Sequence, residues 1–164
     1  MLRTILFDLV FYLCGGYFLS FGVLRQNLVG RRYFLYHGVG LSLLTLLAFL
    51  LLNRELGSLA TFWLGGFITC ALAFSFLVGR DSRISTGAFF LGAICFFGSL
   101  ILEITEGYPG LLQDGLIINA VLSSLCLGFS MAAMLLGHWY LVEPKLSIDE
   151  LGRTCALLFL ALGA

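Results

Sequence analysis

Two histidines flanked by aromatic residues are the side chains of this sequence best suited to hold a cofactor. His37 follows Tyr36, and His138 is followed by Trp139 and Tyr140. Each histidine lies about five residues from a charged residue that ends an apolar run, which at 1.5 Å per residue puts both about 7 Å inside the same boundary. Two imidazoles at equal depth can ligate a b-type haem, and one can hydrogen-bond a quinone. The pattern therefore predicts a cofactor site at His37, His138, Trp139 and Tyr140.

A purely structural interpretation of the second histidine is favoured over this cofactor site. The residues His138, Trp139 and Tyr140 close a long apolar run, and Pro144 follows shortly afterwards. Amphipathic aromatic residues anchor helices at the membrane interface. On this interpretation the segment is an interfacial belt followed by a turn, and neither haem nor quinone is bound.

Two carboxylates within apolar runs are candidates for a proton or cation site. Asp8 lies early in the first run, and Glu103 lies late in the fourth. Charged groups inside a bilayer are costly, and those that occur there often carry protons or ions. Both residues lie within about two helical turns of the end of a run, so solvated helix ends are the favoured alternative.

The composition indicates which elements must position these side chains. Hydrophobic residues make up 60% of the 164 residues and charged residues 11%, and the mean hydropathy is +1.05. A soluble domain is about half apolar and a quarter charged. Apolar runs of about 20 residues are the length that a helix needs to cross a bilayer. We therefore predict an all-α, polytopic transmembrane helix bundle, folded as a single domain over residues 1–164.

Short charged clusters divide the chain into five full spans and a shorter sixth run. At 1.5 Å per residue the sixth is too short to cross a bilayer, so we expect a truncated chain or a half-helix. The spans are predicted at about Ile5–Leu24, Phe34–Leu52, Leu59–Val78, Thr86–Ile104 and Leu116–Leu141, and the sixth run begins near Leu151.

Small residues at four-residue steps predict where these helices pack closely. Without a hydrophobic drive between helices in lipid, small residues permit the close backbone approach that holds them together. The fifth span carries Ser124, Gly128 and Ala132 at this spacing. The third span carries Gly65, Thr69 and Ala73, and the first carries Gly16 and Ser20. We expect each stripe to need a partner helix in this chain or in another subunit.

Basic residues are concentrated in alternate loops. Lysine and arginine mark cytoplasmic loops, whereas acidic residues contribute little to orientation. The loops after the first, third and fifth spans contain Arg25, Arg31 and Arg32, then Arg80 and Arg83, then Lys145 and Arg153. This parity predicts an amino terminus outside the cell, with a bacterial inner membrane as the expected location.

The sequence contains no motif that identifies an enzymatic reaction. The five cysteines are dispersed without the short spacings of metal or redox sites, so we interpret them as packing residues, and no metal site or catalytic residue is predicted. The favoured function is a non-catalytic subunit that packs within a larger membrane complex, with the bilayer and other subunits or itself as partners and no nucleic acid. The alternatives are an electron-transfer anchor using His37 and His138, or a small transporter using Asp8 or Glu103.

Overall fold

The computed structural model describes residues 2–52, 58–80, 82–107, 113–143 and 148–163. In these ranges the chain is helical and contains no strand, which confirms the predicted all-α class. The helices are α1 (Leu2–Ser20), α2 (Gln26–Val29, a single turn), α3 (Arg31–Leu52), α4 (Ser58–Leu77), α5 (Ser82–Gly107), α6 (Gln113–Val142) and α7 (Ile148–Leu162).

Four of the described helices are long and apolar enough to cross a membrane. Their apolar parts are Arg31–Leu51, Leu59–Leu77, Arg83–Glu106 and Asp114–Val142. They correspond to the second to fifth predicted spans, and length and composition make the chain a multi-pass integral membrane protein.

The first predicted span is shorter than expected, so five full spans are not confirmed. The apolar part of α1 is Ile5–Ser20, which at 1.5 Å per residue covers about 24 Å. After Ser20 the backbone tightens into short turns, with the amide of Phe21 donating to the Phe18 carbonyl (3.0 Å) and that of Gly22 to the Leu19 carbonyl (3.1 Å). The helix therefore ends four residues before the predicted boundary at Leu24.

Helix α1 contributes more large buried side chains than its length suggests. Phe7, Phe11 and Phe18 of α1, and Phe21 in the turn directly after it, are each no more than 1% exposed. Phe18 packs edge-on against Phe67 and Phe74 of α4, at centroid distances of 5.5 and 5.8 Å. Since α1 also packs against α3, α5 and α6, it forms the centre of the bundle.

The loops predicted to be basic meet at one end of the bundle. Arg31 at the start of α3 donates from Nη2 to the Phe76 carbonyl near the end of α4, at 3.3 Å. Arg25, in the loop after α1, reaches Glu150 in the first turn of α7. We call the region formed by residues 21–32, 76–80, 82–86 and 148–153 the basic end.

Helix α7 packs along α6 and is 15 residues long. At 1.5 Å per residue it measures about 22 Å. One face buries Glu150 and Thr154, while Ile148 and Phe159 on other faces are about three-quarters exposed.

Candidate functional site

An aromatic–histidine cluster joins α1, α3 and α6 near the basic end. It consists of Tyr17, Tyr33, His37 and Trp139. The His37 ring lies 4.3 Å from Tyr33, 5.9 Å from Tyr17 and 6.0 Å from Trp139, measured between ring centroids. Tyr33 and His37 are four residues apart on α3, so their side chains lie on the same face of that helix.

Some polar atoms of the cluster have hydrogen-bond partners and one buried donor has none in the described ranges. The Tyr17 hydroxyl donates to the Tyr33 hydroxyl at 3.1 Å, and both residues are buried. The indole nitrogen of Trp139 is buried, and no acceptor for it occurs in the described ranges. Burying an N–H donor without an acceptor costs about 1–3 kcal/mol. Together with the half-buried imidazole of His37, this donor could bind a carbonyl oxygen of a ligand.

The structure brings together two of the four residues predicted to bind a cofactor. His37 and Trp139 are in ring contact, whereas His138 is exposed. Adjacent residues on a helix point about 100° apart, so when Trp139 faces α3 its neighbour His138 faces elsewhere. Tyr140 is half-buried and its hydroxyl hydrogen-bonds the backbone of Leu151, which links α6 to α7 rather than to the cluster.

Sequence reasoning missed the two tyrosines of this cluster. Tyr33 could have been found, because its spacing of four residues from His37 predicts a shared helix face. Tyr17 gave no such signal, since its place beside His37 depends on how α1 packs against α3. Conversely, the histidine pair was suggested by depth alone, and equal depth does not determine which way a side chain points.

The small residues of α1 and α6 lie directly against each other. A Cβ atom added to Gly128 would come within 2.5 Å of backbone atoms of Gly16 and Tyr17. Ser124 and Ala132, one turn to either side, are at most 1% exposed. The Ser124 hydroxyl donates to the Ala120 carbonyl at 2.7 Å, so it needs no acceptor on α1.

The small residues of α4 have a different environment. Gly65 and Thr69 are exposed and Ala73 is half-buried. A Cβ atom at Gly65 would meet nothing within 4 Å in the described part of the chain. We call the outward surface formed by Phe62, Gly65, Thr69, Ala73 and Phe76 the α4 face. Its two phenylalanines are 74% and 53% exposed.

The two predicted carboxylates lie on different helices toward the end opposite the basic end. Glu103 on α5 is buried, with 5% of its surface exposed, and Asp8 on α1 is half-buried. Among the described residues, no group of three or more histidine, cysteine, aspartate or glutamate side chains is arranged to hold a metal ion. A proton or cation role for Asp8 and Glu103 stays a prediction.

An ionic contact at the basic end was not anticipated. The Glu150 side chain is fully buried and accepts the backbone N–H of Arg25 at 3.1 Å. Its other oxygen lies 3.8 Å from Nε of Arg25 and 3.6 Å from Nη1 of Arg153. These contacts hold α7 against the loop after α1.

Comparisons of the chain with protein-family models, curated proteins and solved structures give no match. The class of protein is therefore defined by its helices and their packing: an all-helical, multi-pass integral membrane protein.

Proposed function

We propose that the protein is a non-catalytic membrane subunit that packs, through the α4 face, against a transmembrane helix of a larger complex. The observation that supports this proposal is the open small-residue stripe at Gly65 and Thr69. In the same bundle, Gly16 and Gly128 use small residues for close backbone approach. The α4 face offers the same kind of surface, with no helix of the described chain on it.

Packing between helices in a bilayer is governed by the membrane as the solvent. Lipid tails are as apolar as leucine, so burying apolar surface does not drive helices together in a bilayer. Close backbone approach at small residues increases van der Waals contact instead. A stripe bordered by the exposed rings of Phe62 and Phe76 presents a shallow groove that suits a second helix.

Replacing Gly65 with isoleucine tests this proposal. The bulky side chain should prevent close approach, so proteins that co-purify with the wild type in mild detergent should be lost from Gly65→Ile. Gly40 on α3 is a matched control, because it is also exposed and has nothing within 4 Å of its Cβ position in the described chain. Gly40→Ile should keep the partners.

The proposal is contradicted if Gly65→Ile and Gly40→Ile, purified at equal yield, retain the same co-purifying proteins. The partner is either a second copy of this chain or another subunit. Energy transfer between two differently labelled copies of the chain in liposomes distinguishes these two cases. Transfer that Gly65→Ile abolishes identifies a second copy of this chain as the occupant. Absence of transfer, with proteins still co-purifying, identifies another subunit.

We further propose that the protein lies in a bacterial inner membrane with its amino terminus outside. The contacts of Arg31 with Phe76 and of Arg25 with Glu150 support this orientation, because they gather the arginine-rich loops at one end. Such loops are retained on the cytoplasmic side.

A second candidate function is a membrane anchor that binds a quinone at the aromatic–histidine cluster. The buried indole N–H of Trp139 beside His37 favours it, because a quinone carbonyl would supply the missing acceptor. A b-type haem held by two histidines would require His138 to turn from its exposed position toward His37.

Two spectroscopic measurements test this candidate. Purified protein with a bound haem would absorb strongly in the visible range. For a quinone, the Trp63→Phe variant leaves Trp139 as the single tryptophan, and a short-chain quinone should quench its fluorescence with saturation. His37→Ala should then weaken binding about threefold to tenfold, the worth of one hydrogen bond. Quenching that does not saturate excludes a quinone site here.

A further inference from the structure

A groove opens at the basic end between the loop after α1 and the first turns of α5. Its mouth has a volume of about 480 Å³ and is lined by Arg25, Gln26, Leu28 and Thr86. A crevice of about 170 Å³ shares Gln26 and Thr86 with the mouth. The rest of the crevice is lined by Phe21, Gly22, Leu24, Phe74, Phe89 and Phe90. The groove therefore has a polar, positively charged end and an aromatic, apolar end.

A second arginine lies near the mouth that Arg25 lines. Arg83 lies one turn before Thr86 on α5, so the two residues share a helix face. This arrangement attracts an anion to the mouth and places it where the spans end.

The guanidinium of Arg25 is available to such an anion. Its side chain is 63% exposed, and its ionic contact with Glu150 is long, at 3.8 Å between Nε and the carboxylate. The shorter bond to Glu150, at 3.1 Å, comes from the Arg25 backbone N–H. In the described ranges the two terminal amino groups of Arg25 have no acceptor. A guanidinium presents paired donors in a planar fork that matches two oxygens of a phosphate group.

We infer that this groove binds an anionic phospholipid of the surrounding leaflet. Its phosphate lies against Arg25, and the first methylene groups of one acyl chain enter the phenylalanine crevice. The crevice opens toward lipid, since Phe90 at its edge is 60% exposed. Basic pockets between transmembrane helices on the cytoplasmic side recognise anionic headgroups in this manner. This inference goes beyond the proposed function and does not involve the α4 face.

Native mass spectrometry of the full chain in detergent tests the inference, with added phosphatidylglycerol or phosphatidylcholine of identical acyl chains. We expect the first phosphatidylglycerol to bind more tightly than phosphatidylcholine. Arg25→Gln should lower the affinity for phosphatidylglycerol about fivefold, because one arginine near an anionic lipid surface contributes about 1 kcal/mol. Arg25→Lys should retain most of the affinity. Arg32→Gln is the matched control, because it removes the same charge from the same end without lining the groove, and it should bind normally.

A second variant tests the crevice independently of the ionic contact with Glu150. A Cβ atom at Gly22 would lie 2.5 Å from the end of the Phe89 ring, so Gly22→Val narrows the crevice. Gly22→Val should lower the affinity for both lipids about tenfold. The narrower crevice excludes about two methylene groups of the acyl chain, and burying each is worth about 0.8 kcal/mol. Unchanged lipid binding in this variant overturns the acyl-chain part of the inference.

Three other results overturn the headgroup part. Equal binding of the two lipids would show that charge is not recognised. Equal losses in Arg25→Gln and Arg32→Gln would show a diffuse attraction rather than a site. Displacement of the lipid by excess inorganic phosphate would show a site for the free anion.

Discussion

Replacing Gly128 with alanine should destabilise the bundle although only one methyl group is added. The new Cβ would lie within 2.5 Å of backbone atoms of Gly16 and Tyr17, whereas ordinary Cβ contacts are 3.4–4 Å. Backbone atoms cannot rotate away as the end of a side chain can. Helices α1 and α6 must therefore move apart, and α1 is the helix at the centre of the bundle.

The geometry sets the size of the effect. Restoring an ordinary contact requires the two backbones to separate by at least about 1 Å, and a gap of that size forfeits up to about half of each van der Waals contact across the interface. Overpacking of this kind costs about 1–3 kcal/mol. Because the obstacle is backbone, we expect about 3 kcal/mol. For a chain of this length that lowers the melting temperature by about 6–12 °C.

Thermal unfolding in a single detergent, followed by circular dichroism, measures this effect. Gly40→Ala is the matched control, because nothing lies within 4 Å of its Cβ position in the described chain. Alanine is the better helix former by about 1 kcal/mol, so the control should melt at or slightly above the wild-type temperature. If Gly128→Ala melts within about 2 °C of Gly40→Ala, the close contact between α1 and α6 is refuted, given that 1 kcal/mol corresponds to at least that shift.

Three further predictions address other parts of the fold. Glu150→Ala removes the acceptor for a backbone N–H and the partner of two arginines, so hydrogen exchange of α7 should rise sharply while that of α4 stays unchanged; equal exchange in α7 would contradict its anchoring role. The side chains of Cys70 on α4 and Cys95 on α5 lie close together, so a mild oxidant should cross-link them when the other cysteines are replaced; failure to cross-link would contradict that packing. Reporter fusions should place Arg31 in the cytoplasm and Tyr108 outside, and finding both on one side would contradict the span assignment.

The helices were predictable because their signals are local. Apolar runs ended by charged residues predicted the second to fifth spans within a few residues of the structure. The first span was overestimated, because Phe21 and Leu24 continue its apolar run without continuing its helix. Hydropathy records how apolar a residue is and does not record where the backbone turns.

The site was less predictable because it depends on which helices are neighbours. The spacing of Ser124 and Gly128 predicted a close contact, although nothing in it specified α1 as the partner. The stripe at Gly65 has the same spacing and lies on the outside of the bundle. Pairing Arg25 with Glu150, which are 125 residues apart, likewise required the tertiary fold.

We propose above that the α4 face binds a helix of another membrane protein. Site-specific photocross-linking in native membranes tests it most directly, with the photoreactive residue placed at Thr69 or, as a control, at the exposed Leu47 of α3. We expect a discrete adduct of higher mass from position 69 and none from position 47. An unmodified chain at position 69, or the same adducts from both positions, would contradict it.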